Sequence, residues 1–174
     1  MMKKNFLKLI FFALAIFIIG TFYVGLKKTE IYDTKNLIGT NLDNFTLNSL
    51  NEDLEINQEL IKENQYNLIN FWASWCGPCR AEHKYLMNLN RNAKNLKLIG
   101  INFKDDKKNA NKFLSKFGDP YHYSAADSEG KVSINFGVYG IPESILVDNN
   151  LKIIKKFIGP LNQDEYKDII NLTK

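Results

Sequence analysis

The sequence of 174 residues predicts an α/β sandwich, in which a mixed sheet is flanked by helices, preceded by one N-terminal transmembrane helix. Three observations lead to this prediction: an uncharged run near the N-terminus, an alternation of strand and helix patterns in the middle, and a strand pair with a closing helix at the end. Strand–helix–strand–helix order is typical of parallel strands joined by right-handed crossovers. Because the final strand pair adds antiparallel strands, the expected sheet is mixed.

Residues 1–28 have the pattern of a membrane anchor. Three lysines precede an uncharged run from Leu9 to Leu26, and two follow it. At about 1.5 Å per residue this run spans roughly 27 Å, close to the hydrocarbon thickness of a bilayer. A cleaved signal peptide is the alternative, but this run is longer than a typical signal core and lacks an Ala-x-Ala-like end. The lysines favour an N-terminus in the cytoplasm, so we expect a single-pass protein of the inner membrane whose remaining residues lie on the periplasmic side.

The remaining residues carry little net charge. All the excess basic charge comes from residues 1–28, since the rest of the chain has 18 basic and 19 acidic residues. No basic patch for nucleic acid is therefore indicated. We predict a tether over residues 29–40 and one domain over residues 41–174, and we expect a monomer.

The middle of the chain predicts two strand–helix units. The first predicted strand is the segment from Leu68 to Ala73, which is expected to be buried, and the second runs from Leu96 to Phe103. Each is followed by apolar residues at helical spacing. These residues are Cys79, Leu86, Leu89 and Ala93 in the first helix, and Ala110, Phe113, Leu114 and Phe117 in the second.

The C-terminal part predicts a hairpin and a helix. The segments 143–148 and 151–158 are strand-like, with a turn at Asn149 and Asn150 between them. Asn162 is placed to cap the last helix, and Glu165 completes a capping box three residues later. Residues 42–62 are expected to hold a short hairpin and one further element whose boundaries the pattern does not define.

Cys76 and Cys79 are the only cysteines, and the residues around them narrow the possible chemistry of the pair. Covalent haem attachment needs a histidine directly after the second cysteine, where this chain has Arg80. A structural zinc site usually takes four Cys or His ligands, and only two histidines are available. A disulfide closing so short a loop contributes only about 2 kcal/mol as a staple. Redox exchange is the favoured interpretation, while metal handling by the pair with His83 stays open.

The order of strand and helix gives the two cysteines different roles. Cys76 lies where the strand ends and the helix begins, so unpaired backbone N–H groups and the helix dipole favour its thiolate. Cys76 is therefore the predicted nucleophile. Cys79 lies on the inward helix face and is the predicted resolving thiol.

Two motifs carry a resemblance to a known superfamily. The segment from Phe71 to Cys79, FWASWCGPC, resembles the active-site signature of thioredoxins, and Gly140-Ile141-Pro142 resembles their cis-proline loop. The segments CRAEH from Cys79, GINFKDD from Gly100 and GVYGIPES from Gly137 are similar to the DsbE/CcmG type of membrane-anchored cytochrome c biogenesis thiol:disulfide interchange proteins. The similarity runs from about residue 37 to 172.

The resemblance implies a thioredoxin-like fold and a protein-disulfide reductase that uses no cofactor besides the Cys76–Cys79 disulfide. The implied partners are apocytochrome c, or an accessory thiol protein, and a membrane electron carrier that re-reduces the pair. A general extracytoplasmic disulfide reductase is one alternative. A non-enzymatic metal-handling module and an apocytochrome-binding module are the others.

The resemblance also implies roles at the cis-proline loop. A cis bond before Pro142 would bring the Ile141 backbone beside Cys76 to hold an extended substrate. Trp75 is expected to flank the sulfur. We expect Glu143 to complete an acidic rim that contacts substrate; the alternative is a solvated side chain.

Asn70 departs from general thioredoxins, which carry a buried Asp in the strand before the dithiol. An amide cannot exchange a proton in this way, so another group or water must do so. Glu82 lies on the inward stripe of the predicted helix, where a carboxylate is costly without a role or a partner. We predict that Glu82 serves in proton transfer. The alternative is that Glu82 caps the helix or forms an ion pair with Arg80 or Lys84.

Overall fold

The structure is a computed structural model that describes residues 2–27 and 37–174. The chain divides between residues 33 and 34 into two units. The first contains helix α1 (Met2–Lys27), in which the stretch Lys8–Leu26 is long and apolar enough to cross a membrane. The described side chains of that stretch are not buried within the protein. The predicted tether falls largely on residues 28–36, which lie outside the described residues.

The second unit contains seven strands and five helices within residues 37–174. The strands are β1 (Thr46–Asn48), β2 (Glu55–Asn57), β3 (Tyr66–Trp72), β4 (Leu96–Phe103), β5 (Tyr123–Asp127), β6 (Glu143–Asp148) and β7 (Ile153–Ile158). The helices are α2 (Gln58–Lys62), α3 (Gly77–Asn92), α4 (Lys107–Phe117), α5 (Lys131–Asn135) and α6 (Gln163–Leu172).

The main sheet has five strands in the order β5-β4-β3-β6-β7, with β3 at its centre. β3 and β5 pair parallel with β4, whereas β6 pairs antiparallel with both β3 and β7. This confirms the predicted mixed sheet. A separate pair, β1 and β2, forms the short hairpin expected within residues 42–62, and α2 is the further element.

Alternation along β3 sends its side chains to two different cores. Ile69 and Phe71 enter an apolar cluster that includes Ile56 of β2 and Ile61 of α2. Leu68 enters a cluster on the opposite face, which is formed with α3 and α6. Asn70 and Trp72 have the same parity as Leu68, so the polar Asn70 is directed toward α3.

The predicted elements are close to those observed. The strands 96–103 and 143–148 have the predicted bounds, and the cap of α6 is the predicted capping box of Asn162 and Glu165. The last strand begins at Ile153 instead of residue 151, because Leu151 adopts a positive φ of 63°. The side chain of Asp148 accepts from the Asn150 and Lys152 N–H groups, which closes this turn before pairing resumes.

Residues 37–40, which we expected to end the tether, bond to the domain. Gly39 N–H donates to Ile153 O at 2.8 Å, and Ile153 N–H donates to Thr40 O at 2.9 Å. Leu37 packs against the cluster that contains Phe71. The described part of the domain therefore starts at residue 37.

Candidate active site

Cys76 and Cys79 form a disulfide at the junction of β3 and α3, with an S–S distance of 2.03 Å. Cys76 is the N-cap of α3, and its Sγ accepts a hydrogen bond from Cys79 N–H at 3.1 Å. The first N–H groups of a helix have no partner within the helix, so this N–H is free to donate to sulfur. In the reduced protein the same N–H would stabilise a thiolate on Cys76.

The chain around the disulfide favours this helix start. Pro78 lies in the first turn, where its missing N–H leaves no helix hydrogen bond unmade. Cys76 and Cys79 are both buried, at 4% and 2% exposed, among the side chains of Trp72, Phe113 and Leu114. Burial therefore does not distinguish the two cysteines. The N-cap position of Cys76 distinguishes them.

The second segment beside the sulfur is the loop before β6. The Ile141–Pro142 peptide bond is cis, as we predicted. The Ile141 carbonyl oxygen lies 3.7 Å from Cys76 Sγ. A backbone hydrogen-bond acceptor, the Ile141 carbonyl, therefore lies next to the predicted nucleophile. The substrate-binding roles of Ile141 and Pro142 stay predictions.

Glu143 is not on an acidic rim or solvated, which contradicts both sequence-based interpretations of its position. It is 4% exposed, and its Oε1 accepts from the N–H groups of Tyr139, at 3.0 Å, and Gly140, at 3.1 Å. Its Oε2 lies 2.9 Å from Nζ of Lys156, whose side chain is also buried. Glu143 therefore ties the loop that contains the cis bond to strand β7.

The sequence analysis did not identify Lys156. Nζ of Lys156 also donates to the Gly137 carbonyl oxygen, so the lysine holds both ends of the loop segment 137–143. Lys156 lies opposite Ile145 in the β6–β7 register. Lysine in a strand is usually solvated. The carboxylate of Glu143 in the neighbouring predicted strand was the one hint that this lysine could be paired and buried.

Glu82 lies at the centre of a buried polar network on the α3 side of the sheet. It is 0% exposed, its Oε1 accepts from Asn70 Nδ2 at 2.9 Å, and its Oε2 accepts from Leu161 N–H at 2.8 Å. Asn70 Nδ2 also donates to Ser144 Oγ at 3.0 Å. The predicted inward position of Glu82 is confirmed, and the alternative pairing with Arg80 or Lys84 is wrong.

Tyr121 completes this network and was also missed. Its hydroxyl donates to Asn70 Oδ1 at 2.7 Å, and its ring stacks on Trp72 with centroids 5.6 Å apart. Gly100 pairs with Asn70 in the β3–β4 register, and a Cβ there would lie 2.7 Å from the Tyr121 ring. The missing side chain of Gly100 is therefore what lets the tyrosine reach Asn70.

Burial raises the pKa of Glu82 to about 7, while the hydrogen bonds from Leu161 and Asn70 lower it in part. Burial, with the nearby charges of Glu82 and Asp119, also raises the pKa of Tyr121 well above its usual value. The tyrosine therefore stays a hydrogen-bond donor at neutral pH. Glu82 is the group of this network that can take up or release a proton near neutrality, and its catalytic role stays a prediction.

The two tryptophans differ in environment. Trp72 is buried in the core, whereas Trp75 is 60% exposed and its Nε1 donates to Lys104 O at 3.3 Å. Asp105 accepts from both the N–H and the hydroxyl of Ser74, which fixes the residue before Trp75. Trp75 thus presents an apolar surface directly before Cys76, and a contact with substrate there stays a prediction.

His83 is buried and engaged elsewhere. Its Nε2 lies 2.9 Å from the Gly118 carbonyl oxygen, and its ring meets Phe113 edge-on. Burial lowers its pKa. Within residues 2–27 and 37–174, no group of three His, Cys, Asp or Glu residues is placed to hold a metal ion.

Comparisons with known proteins identify the family of this chain. The Redoxin family model matches residues 38–171. The chain is 37% identical over 135 residues to the thiol:disulfide interchange protein DsbE of Escherichia coli strain K12, covering 77% of this chain and 72% of that protein. It is 40% identical over 113 residues to the DsbE homolog of Paracoccus denitrificans. This match covers 65% of this chain and 62% of that relative, so the chain spans about three fifths of the relative's length.

A solved structure shares the fold. The crystal structure of a DsbE thiol:disulfide interchange protein from Chlorobium tepidum superposes with a TM-score of 0.67 at 26% sequence identity. The superposition covers 78% of this chain and 95% of the other. The predicted thioredoxin-like α/β fold is therefore confirmed.

Proposed function

The chain belongs to the Redoxin family, as a thiol:disulfide oxidoreductase of the DsbE type, and from this premise we propose that it is a membrane-anchored disulfide reductase of cytochrome c maturation. Its proposed substrates are the disulfides of apocytochrome c or of an accessory thiol protein. A membrane electron carrier would return the Cys76–Cys79 pair to the dithiol. The substrate cysteines would then be free for haem attachment.

The observation that carries the proposal is the position of Cys76. Its sulfur accepts a backbone N–H at the start of α3 and lies next to the Ile141 carbonyl of the cis-proline loop. The first contact stabilises a thiolate, and the second supports binding of an extended peptide beside the same sulfur. Together they support exchange with a protein disulfide better than a static staple.

The reaction has two steps that transfer two electrons to the substrate. The Cys76 thiolate attacks one substrate sulfur, forms a mixed disulfide and releases the other substrate sulfur as a thiolate. The Cys79 thiolate then attacks Cys76 Sγ, which re-forms the intramolecular disulfide and releases the second substrate thiolate. Protons from solvent and from Cys79 convert both products to thiols.

We assign the proton from Cys79 to Glu82. Glu82 follows Cys79 by three residues on α3, so both side chains belong to the same helix face. Its pKa of about 7 lets it accept a proton from the thiol near neutral pH and return that proton to solvent or substrate. Asn70 orients the carboxylate through its amide but holds no proton to exchange.

The proposed location is the cytoplasmic (inner) membrane, with α1 crossing it once and the domain on the periplasmic side. The apolar stretch Lys8–Leu26 supports the anchor, and the lysines before it support the orientation. A reductase outside the membrane needs a source of electrons across it. This need supports a membrane carrier as the re-reducing partner.

Trapping of the mixed disulfide tests the reaction and identifies the substrate. In Cys79→Ala the second step is blocked, so Cys76 should stay covalently bound to its partner. We expect thiol-sensitive adducts that contain apocytochrome c or an accessory thiol protein, with Cys76→Ala as the matched control that forms none. Adducts that lack both kinds of protein would contradict the cytochrome-specific assignment.

Loss of the gene separates this function from general disulfide reduction. We expect covalently bound haem to disappear from c-type cytochromes in the deletion strain, as measured by haem staining. The full chain should restore the haem, whereas Cys76→Ala should not. Normal haem staining in the deletion strain would favour a general extracytoplasmic reductase.

A further inference from the structure

Two adjoining cavities lie along α3 and α4, from Trp75, the residue before Cys76, to Arg91 in the last turn of α3. One cavity of about 350 Å³ is lined by residues that include Ser74, Trp75 and Phe113. A second cavity of about 380 Å³ is lined by residues that include Met87 and Asn88. Arg80 and Phe117 line both cavities, so the two form one groove.

The groove is cationic. Arg80, Lys112 and Lys116 line the first cavity, and Lys84 and Arg91 line the second. All five are exposed, and none forms an ion pair with a carboxylate of residues 37–174. No Asp or Glu lines either cavity. The part of the chain after residue 28 has a slight excess of acidic residues, so this concentration of positive charge is local.

The ring of Phe117 contacts two of these cations at the centre of the groove. The Arg80 guanidinium lies 5.2 Å from the centroid of the Phe117 ring, and Lys116 Nζ lies 5.3 Å from the same centroid. Cation–π contacts hold charged groups near a ring without neutralising them. The two charges therefore stay available to an anion.

We propose that this groove binds an acidic segment of the protein whose disulfide is reduced. This inference rests on the proposed function, and it names a docking surface for the partner beyond the cis-proline loop. A peptide whose disulfide lies at Cys76 would pass the exposed Trp75 and enter the groove, where its carboxylates meet Arg80, Lys112 and Lys116. Complementary charge would raise the rate of encounter more than the final affinity.

The shape of the site favours a peptide over an anionic membrane surface. Lipid headgroups present charge in a plane, whereas these cations line a groove with Phe113 and Phe117 as apolar contacts. The groove also includes Trp75, which directly precedes Cys76, and the partner protein must lie at Cys76 during exchange. A lipid surface has no such requirement.

Two disulfide peptides that differ only in charge test the proposal. Each carries one Cys-x-x-Cys disulfide, extended by a run of glutamates in one and of glutamines in the other, with the extension at either end in separate series. The reduced full chain in detergent is mixed with each peptide, and the second-order rate constant of reduction is measured at low and high salt. We expect the acidic peptide to react roughly tenfold faster at low salt and the difference to shrink as salt is added.

Two double variants locate the effect. Lys112→Glu/Lys116→Glu reverses charge within the groove and should remove or invert the preference for the acidic peptide. Lys107→Glu/Lys108→Glu changes the net charge of the same helix equally but outside the groove, and should keep the preference. Unchanged circular dichroism in both variants shows that the fold is retained.

Three outcomes would overturn the inference. Equal rates for both peptides with the wild-type chain would contradict the proposed docking surface but not the proposed function. Reduction of neither peptide would contradict both. Equal rates, together with protection of Lys112 and Lys116 from amine modification in phosphatidylglycerol vesicles but not in phosphatidylcholine vesicles, would assign the groove to lipid headgroups.

Discussion

At the scale of single residues, Glu82 illustrates how a buried carboxylate can be kept near its titration point. Loss of hydration raises its pKa, and the two hydrogen bonds from Asn70 and Leu161 prevent a larger rise. An aspartate at position 70 would put a second carboxylate within hydrogen-bond distance of the first. The amide of Asn70 instead donates to Glu82 and accepts from Tyr121, so each polar contact is matched.

The first prediction concerns the rate at which the mixed disulfide is resolved. In Glu82→Gln no carboxylate accepts the Cys79 proton, so we expect resolution near pH 7 to slow roughly 10- to 100-fold. The initial attack by Cys76 should change little. Stopped-flow measurement of both steps across pH 6–9 checks this, because the wild-type resolution rate should rise through about pH 7 and that of the variant only at higher pH.

The surface variant Glu129→Gln provides the matched control for this measurement. It also removes one carboxylate, but from a fully exposed side chain that pairs with Lys131. We expect both steps to match the wild type. Identical pH profiles for Glu82→Gln and the wild type would limit Glu82 to a structural role.

The second prediction concerns the stability of the oxidised protein. The folded state keeps Glu82 protonated up to about pH 7, whereas the unfolded state loses this proton near pH 4.5. Between these values the folded state binds more protons, so the free energy of unfolding falls as pH rises, by on the order of 3 kcal/mol in total. Glu82→Gln should lack this loss.

Urea unfolding of the oxidised full chain in detergent checks the difference between wild type and variant from pH 5 to 8. His83 and His122 have pKa values lowered by burial, so they change stability in the opposite direction. Their effect is common to both proteins and cancels in the difference. A difference that does not vary with pH would contradict the raised pKa of Glu82.

At the scale of secondary-structure elements, the β6–β7 hairpin supports the loop beside the sulfur. Glu143 at the start of β6 accepts from two loop N–H groups, and Lys156 on β7 binds both Glu143 and the Gly137 carbonyl oxygen. Taking either charge out of water is costly, and their mutual contact offsets that cost. The pair therefore couples the loop geometry to the sheet.

The third prediction is that this pair cannot lose one member without a large loss of stability. Lys156→Met leaves the Glu143 carboxylate buried without its cation, and we expect the free energy of unfolding to fall by about 3–5 kcal/mol. Adding Glu143→Gln should recover part of the loss, since the amide oxygen still accepts from the loop. Urea unfolding measures both variants, and disulfide exchange should slow in Lys156→Met because the loop shifts relative to Cys76.

Lys155→Met is the control on the adjacent position of β7. Lys155 pairs with Asp168 in a half-exposed contact, which contributes only about 0–1 kcal/mol. Equal losses for Lys155→Met and Lys156→Met would contradict the structural importance of the buried pair.

Elements with strong local patterns could be predicted, and those that depend on distant contacts could not. β3, β4 and β6 each contain a short segment rich in apolar residues, and α6 has a capping box whose two residues are three positions apart. β5 has the weak pattern YSAAD and exists because it pairs with β4. The short helix α5 follows Gly130, and Asp127 accepts from the N–H of Ser133 in the middle of this helix.

The same distinction applies to the site. Cys76, Cys79 and Pro142 are visible in short motifs, so their positions followed from the sequence. Ser144 lies 74 residues from Asn70, and Leu161 lies 79 residues from Glu82. Such contacts exist only after the sheet has formed. A local pattern can place a carboxylate inward, but it cannot name the groups that the carboxylate meets.

At the scale of the whole molecule, the chain combines an apolar helix with a domain whose charges are unevenly distributed. The lysines at both ends of the apolar stretch account for the positive net charge of the chain. In the domain, α3 and α4 carry seven basic residues and one carboxylate, the buried Glu82. Positive charge is thus concentrated on α3, which begins at the dithiol, and on α4, instead of being spread evenly over the surface of the domain.

The fourth prediction is that α1 is retained and holds the protein in the membrane. Because the stretch Lys8–Leu26 is long enough to span the hydrocarbon core, we expect the full chain to stay in the membrane fraction after an alkaline carbonate wash. Mass spectrometry should detect peptides from residues 1–28. Protease added to spheroplasts should digest the domain, since we expect it to lie on the periplasmic side.

The variant Ile16→Arg/Phe17→Arg tests whether this helix is responsible. Both positions lie near the middle of the apolar stretch, where each arginine costs roughly 2.5–3.5 kcal/mol at the bilayer centre. We expect a larger fraction of this variant in the carbonate supernatant, with exchange activity of the domain retained. A wild-type protein that is soluble in carbonate and begins after residue 28 would instead identify the segment as a cleaved signal, because only a removed helix leaves the domain without its attachment.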